Sequence, residues 1–147
     1  MSSEREHIHK YFMDIAYKVA SRSTCIKRKV GAIIVKDKRI VSTGYNNPSC
    51  GLPNCTKETC ILDTNGKCRM ALHAECSAII QAHPIDRQNA IMYITCQPCA
   101  NCQLAILNSG VKAVIYDEEH TPKFDFLKQA NIPYMQIDEA IKTNFMV

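Results

Sequence analysis

Two short stretches of the chain decide its fold, Leu72-His73-Ala74-Glu75 and Gln97-Pro98-Cys99-Ala100-Asn101-Cys102. Together they provide one imidazole, one carboxylate and two thiols. Helical patterns follow them over residues 73–83 and 99–108, and an apolar, β-branched run over 90–95 predicts a buried strand. We therefore expect two helices that begin close to one strand and carry the reactive side chains in their first turns.

The other segments extend this unit into a sheet with helices on both faces. We predict further helices over 4–21, over 122–129 and from 138, a β-hairpin from the runs 30–35 and 39–45, a strand over 111–116 and a short edge strand over 132–135. Strands that alternate with helices pair in parallel, whereas a hairpin is antiparallel. The prediction is an α/β fold with one mixed sheet.

Composition favours one globular domain over the whole chain, residues 1–147. The net charge of +4 would suit an anionic substrate, but it is too small to argue for a nucleic-acid surface. The N-terminal residues are polar and no segment has the length of a membrane span, so we expect neither a signal peptide nor a membrane contact. Nine cysteines without an export signal indicate metal binding or catalysis rather than disulfides, and a cytoplasmic location.

The two stretches have the ligand set of a catalytic zinc site. His73, Cys99 and Cys102 supply three ligands, and a catalytic zinc keeps its fourth position open for water. Glu75 can then accept a proton from that water. The combination H-x-E and P-C-x-x-C is typical of zinc deaminases. Cys96 and Cys99 also form a C-x-x-C pair, as in thioredoxin-like proteins, but the remaining ligands favour the metal site.

Beyond these motifs, the chain resembles the deoxycytidylate (dCMP) deaminase family of the cytidine deaminase superfamily over nearly its whole length. The resemblance includes Arg22-Ser23-Thr24-Cys25, residues 30–37 and Gly44-Tyr45-Asn46. It implies a cytidine-deaminase-like three-layer fold with a five-stranded mixed sheet between helices. It also implies zinc-dependent deamination of dCMP to dUMP, which supplies thymidylate synthesis.

Substrate contacts follow from the same resemblance. Asn46 is expected at the deoxyribose, because an amide both donates and accepts as a hydroxyl requires. The 5′-phosphate needs cations, and the basic cluster Lys27, Arg28 and Lys29 is the candidate, with no ranking among its members. Tyr116 is a further candidate contact. A turn asparagine, a solvated basic run and a strand-end aromatic are the corresponding structural alternatives.

A second, structural zinc is expected in the aperiodic loop of residues 48–70. Relatives often bind one there, and Cys25, Cys55, Cys60 and Cys68 match the positions concerned. Four thiolates would close the site, and metal binding would order the loop. Cys50 and Cys76 are left over, and Cys50 could replace one of the four.

Many enzymes of this family are hexamers that dCTP activates and dTTP inhibits. Asn47 and Ser77 depart from the pattern of the regulatory pocket, so we expect catalysis and a homo-oligomer but only weak nucleotide regulation. Two other functions stay open. One is deamination of another cytosine nucleotide, such as dCTP or a 5-modified dCMP. The other is a zinc-stabilised nucleic-acid-binding module, which would leave Glu75 unused.

Overall fold

The computed structural model describes residues 4–66 and 68–146. Its helices are α1 (Ile8–Ala20), α2 (Ala74–Gln81), α3 (Pro84–Arg87), α4 (Ala100–Leu107), α5 (Phe126–Gln129) and α6 (Ile137–Lys142). Its strands are β1 (Gly31–Lys36), β2 (Arg39–Tyr45), β3 (Asn47–Pro48), β4 (Ala71–Leu72), β5 (Ile91–Cys96), β6 (Ala113–Glu118) and β7 (Tyr134–Gln136). In this part of the chain, no helix is both long enough and apolar enough to cross a bilayer.

Five of the strands form one mixed sheet in the order β2-β1-β5-β6-β7. β1 is antiparallel to both β2 and β5, while β5, β6 and β7 are parallel. The sequence-based prediction of a mixed five-stranded sheet is confirmed. The two-residue turn of the hairpin places Asp37 and Lys38 at φ values of 50° and 64°, which match the right-handed twist of the paired strands.

The sheet is buried on both faces, which accounts for the continuous apolar run of β1. Ala32 and Ile34 point to the side covered by α2, α4 and α5, whereas Ile33 and Val35 point to the side covered by α1 and α6. This alternation follows from the two-residue period of a strand. The three layers predicted from the resemblance are therefore present.

A buried histidine connects α1 to the far end of the chain. His9 is 1% exposed. Its Nε2 lies 2.5 Å from the carbonyl oxygen of Phe145, so this nitrogen must donate. Nδ1 of the neutral ring then accepts from the hydroxyl of Tyr93, 2.8 Å away. The network fixes α1 against β5 and the segment after α6.

Several boundaries differ from the sequence-based expectation. The predicted helix over 122–129 is confined to α5, because the Asp125 side chain accepts from the Lys128 amide and begins the helix there. β6 lies two residues further along than the predicted strand. The helix predicted over 73–83 ends at Gln81, two residues before the expected stop, and Pro84 instead opens α3, since its fixed φ suits a first helical position.

The cysteine-containing loop is more regular than its aperiodic sequence suggests. β3 pairs with β4 through Asn47–Leu72 and Pro48–Ala71, and Leu62 bridges to Cys68. The pairing of β3 with β4 joins the two ends of the loop and leads the chain directly into α2. It is a long-range contact, which local periodicity cannot indicate.

Candidate active site

The proposed ligands converge at the beginnings of two neighbouring helices. His73 is the N-cap of α2 and Cys99 is the N-cap of α4, both in extended conformation. Nδ1 of His73 lies 3.1 Å from Sγ of Cys102 and 3.6 Å from Sγ of Cys99. All three ligand atoms lie within 4.8 Å of one another, which one tetrahedral ion can span.

The electrostatics of this cluster suit a cation. Hydrogen bonds from Cys102 and from His73 lower the pKa of Cys99 to about 3. The hydrogen bond to Cys99 raises the pKa of His73 to about 9, against the effect of burial. Hydrogen bonds to Cys76 and Cys99 raise the pKa of Cys102. The thiolate of Cys99 thus suppresses ionisation of Cys102. A bound zinc ion would stabilise both residues as thiolates. The donor set fits zinc.

Glu75 lies in the first turn of α2 and is 4% exposed. Burial raises the pKa of its carboxyl, although a backbone hydrogen bond and the charge of His73 oppose the shift. Glu75 lines the same cavity as His73 and Cys99. A buried carboxyl that binds a proton readily and faces a metal site is suited to moving protons there.

The cavity has a volume of about 390 Å³. Eight of the residues predicted from the sequence line it: Cys25, Lys27, Arg28, Asn46, Cys68, His73, Glu75 and Cys99. Gln97 and His120 line it too, and the sequence analysis missed both. His120 follows the carboxyl end of a parallel strand, where ligand sites usually form in α/β sheets, so its position was the available signal.

Two glutamines hold the loop between β6 and α5 at the cavity. Gln97 Oε1 accepts from the backbone amide of His120 at 3.1 Å. Gln103, which is fully buried, donates from Nε2 to the carbonyls of Pro98 and Phe124 and accepts the Leu127 amide at Oε1. The loop is therefore bonded directly to the segment that supplies Cys99.

Asn46 is buried at the cavity wall, and both ends of its amide are engaged. Oδ1 accepts from the Val30 amide at 2.8 Å, and Nδ2 donates to the Arg28 carbonyl at 2.7 Å. These bonds shape the segment before β1. By the inventory of an amide, Asn46 has the capacity for one more donated and one more accepted hydrogen bond.

The structure separates the three members of the basic cluster. Lys27 and Arg28 line the cavity, but Lys29 is not among the described lining residues. A terminal guanidinium nitrogen of Arg28 donates to Cys96 Sγ at 2.9 Å. Tyr116 lies within β6 and packs on Tyr134, with ring centroids 5.1 Å apart, and it is likewise outside the described lining.

A second thiol cluster lies beside the cavity. The ligand atoms of Cys55, Cys60 and Cys68 lie within 4.8 Å of one another, and Cys55 Sγ is 3.7 Å from Cys68 Sγ. Burial raises the pKa of Cys55 to about 12, so without a metal this thiol is protonated. The charge of Cys25 raises the pKa of Cys60. Cys25 and Cys68 both line the cavity. Cys50 is exposed.

Comparison with known proteins places this geometry in a family. The chain matches the family model for the cytidine and deoxycytidylate deaminase zinc-binding region over residues 6–118. It is 38% identical over 136 residues to deoxycytidylate deaminase of Saccharomyces cerevisiae, with 86% of this chain and 43% of that protein covered. It thus spans less than half the length of the yeast relative.

Two phage proteins match at nearly their full length. Deoxycytidylate deaminase of Mycobacterium phage D29 is 36% identical over 122 residues, with 74% of this chain and 93% of that protein covered. The crystal structure of dCMP deaminase from the cyanophage S-TIM5 in complex with dCMP and dUMP superposes with a TM-score of 0.76 at 28% identity. The superposition covers 91% of this chain and 99% of the cyanophage chain. The chain described here belongs to the cytidine and deoxycytidylate deaminase family.

Proposed function

We propose that this chain deaminates dCMP hydrolytically, so that dCMP and water give dUMP and ammonia for thymidylate synthesis. The observation that carries the proposal is the shared cavity. It combines a three-donor zinc site and the buried carboxyl of Glu75 with Lys27 and Arg28. The two phage relatives and the yeast relative all bear the name of this activity.

His73, Cys99 and Cys102 would hold the catalytic zinc. When bound there, zinc lowers the pKa of water in the cavity toward neutrality. Glu75 accepts the proton that this water gives up as its oxygen attacks C4 of the cytosine. Glu75 then delivers a proton to N3 and assists the departure of the amino group as ammonia. The burial of Glu75 favours a carboxyl that both takes up and returns a proton.

Charge around the cavity favours a nucleotide over a nucleoside. Glu75 is the one carboxylate among the described lining residues, while Lys27 and Arg28 contribute two positive charges. A 5′-phosphate is the part of the substrate that these cations would bind. Asn46 offers its free hydrogen-bonding capacity to the sugar.

The decisive experiment measures ammonia release by the zinc-loaded protein from a panel of dCMP, dCTP, 5-methyl-dCMP, deoxycytidine and CMP. The proposal requires the highest kcat/KM with dCMP. A preference for dCTP or a 5-modified dCMP would establish the alternative cytosine-nucleotide deaminase. No turnover of any substrate, together with binding to nucleic acid, would establish the zinc-stabilised binding module.

We also propose a structural zinc held by Cys25, Cys55, Cys60 and Cys68. Three of the thiols already lie within bonding reach of one ion, and the charge of Cys25, which is outside this group of three, raises the pKa of Cys60. Metal binding would bring all four to the thiolate form, which the burial of Cys55 otherwise disfavours. Such a site would anchor the loop that leads into α2.

Family membership also supports proposals about assembly and regulation. We propose one deaminase domain that acts in the cytoplasm as a homo-oligomer, with a hexamer as the model. The side-chain oxygen of Asn47 accepts hydrogen bonds from the backbone N–H and the hydroxyl of Thr24. The Asn47 side chain is therefore engaged within the fold. Kinetic titration with dCTP and dTTP tests regulation: strong activation by dCTP would show that Asn47 and Ser77 are compatible with an effector site.

A further inference from the structure

A thiol outside the proposed zinc sites lies beside one of the catalytic ligands. Cys76 follows Glu75 on α2, and its Sγ atom is 4.0 Å from Sγ of Cys102 on α4. Cys76 is half-buried, whereas Cys102 is buried. Neither zinc binding nor proton transfer, as assigned above, requires Cys76.

We propose that Cys76 and Cys102 form a reversible disulfide when the protein is oxidised by a peroxide, and that this removes Cys102 from the catalytic zinc site. The inference rests on the proposed zinc-dependent function, which it extends to control by oxidation. In a disulfide the Cys102 sulfur carries no thiolate charge, so it cannot serve as a zinc ligand.

The geometry requires only a small adjustment. A disulfide has a sulfur–sulfur distance of about 2.05 Å, so the two atoms must approach by about 2 Å. The two residues lie in the first turns of two helices that pack on each other. Rotation of the side chains, with a small shift between the helices, can supply that movement.

The chemistry balances with hydrogen peroxide as the oxidant. The half-buried sulfur of Cys76 attacks one peroxide oxygen, the O–O bond breaks, and a sulfenic acid and one water form. The Cys102 sulfur then displaces the hydroxyl group as a second water and forms the S–S bond. Two thiols and one hydrogen peroxide thus give one disulfide and two waters. A dithiol reductant reverses the change.

Cys99 is the competing partner for Cys102. The two residues form a C-x-x-C pair, and their ligand atoms lie within 4.8 Å of each other. The sequence allows the two disulfides to be told apart. Trypsin cleaves after Arg69, Arg87 and Lys112, which leaves Cys76 alone in the peptide 70–87 and places Cys96, Cys99 and Cys102 together in the peptide 88–112. A Cys76–Cys102 disulfide joins two peptides, whereas a Cys99–Cys102 disulfide lies within one.

The test treats the full-length, zinc-loaded protein with increasing hydrogen peroxide and follows zinc release, ammonia production and the tryptic peptides after free thiols are alkylated. We expect the joined peptides 70–87 and 88–112, with fragmentation locating the bond at Cys102. Zinc and activity should be lost in parallel, and both should return with dithiothreitol and added zinc. A disulfide confined to the peptide 88–112 would overturn the proposal.

Cys76→Ala should deaminate like the wild type when reduced and lose activity several-fold more slowly in peroxide, whereas the exposed Cys50→Ala should lose it at the wild-type rate. Equal rates for Cys76→Ala and the wild type would also overturn the proposal. Should Cys76→Ala fail to fold, peptide mapping of the wild type still decides. A reduced, zinc-loaded protein without deaminase activity would refute the proposed function, while the peptide map would still report on the disulfide.

Discussion

A Cβ atom on Gly44 would lie 2.4 Å from the backbone nitrogen of Ala78, so β2 and α2 meet backbone to backbone at this point. The same atom would lie 2.4 Å from the carbonyl oxygen of Ala74. Ser42 reinforces the contact, because its hydroxyl donates to the Ala78 carbonyl at 2.6 Å. The helix that carries the reactive imidazole and carboxyl therefore takes its position directly from β2.

Gly44→Ala should lower deaminase activity more than it lowers stability. Both clashing atoms belong to the backbone, so α2 must shift, and overpacking of this kind costs about 1–3 kcal/mol. A displacement of about 1 Å in a catalytic group can cost about 100-fold in rate. The measurements are kcat with dCMP and the midpoint of urea unfolding. Thr43→Ala, at the adjacent exposed position, should change neither, and a fully active Gly44→Ala would contradict this role of the glycine.

Glu75→Gln should reduce turnover by orders of magnitude without loss of zinc. Loss of a general acid–base group costs about 10²- to 10⁴-fold in rate. The three donors to the ion are left intact, so metal content by atomic absorption should be unchanged. Circular dichroism should report the same fold. The exposed Glu6→Gln is the control and should be fully active, while substantial turnover by Glu75→Gln would exclude the proposed mechanism.

Arg28→Ala should affect dCMP and spare deoxycytidine. A hydrogen bond to a charged group is worth about 1.5–3 kcal/mol, so kcat/KM for dCMP should fall about 10- to 100-fold. Deoxycytidine has no phosphate, and its slow turnover should stay the same. Lys29→Ala is the matched control, because Lys29 is outside the described lining of the cavity. Equal losses with both substrates would place Arg28 in a structural role instead.

Cys68→Ser should reduce the zinc content from two ions to one per chain and raise KM for dCMP. Cys68 belongs to the second thiol cluster and also lines the cavity, so disorder there would weaken substrate binding. The chemical step depends on the other cluster, so kcat should fall less than KM rises. Zinc is counted after a desalting step. Cys50→Ser should retain both ions, and if it loses one, Cys50 rather than one of the four proposed cysteines completes the site.

His9→Gln should make the free energy of unfolding less sensitive to a fall in pH below neutrality. Burial lowers the pKa of His9, against the opposing effect of the Phe145 carbonyl. The unfolded chain, with a histidine pKa of about 6.5, therefore takes up this proton first as the pH falls. Stability should be full above pH of about 6.5 and should decline below it until the pKa in the folded protein is passed. Urea midpoints at neutral and mildly acidic pH check this: a decline as steep in His9→Gln as in the wild type would exclude His9 as the cause.

The sequence was sufficient to predict that His73, Cys99 and Cys102 lie together, because the motifs that carry them are short and local. A cysteine pair three residues apart at a helix start, with a strand before it, specifies both the elements and the donors. The alternation of strands and helices likewise predicted the mixed sheet. Both depend on periodicity within a few residues, which a single sequence displays directly.

What the sequence did not disclose depends on contacts between distant segments. β3 and β4 are two residues each, and they exist because Asn47 and Leu72 meet after a loop of more than twenty residues. His120 reaches the cavity only because β6 pairs with β5 and the following loop is bonded to Gln97. The difference between Lys29 and its two basic neighbours is also set by the tertiary fold rather than by composition.

The side-chain amide of Gln103 couples the movement of the loop between β6 and α5 to that of its neighbours. It is completely buried, and it joins the segment before Cys99, the loop that carries His120 and the beginning of α5. An isolated movement of the loop would leave a buried donor without a partner, at a cost of about 1–3 kcal/mol. The loop and α5 therefore unfold locally as one cooperative unit. Their backbone amides should be protected from hydrogen exchange to a similar degree, rather than each to its own degree.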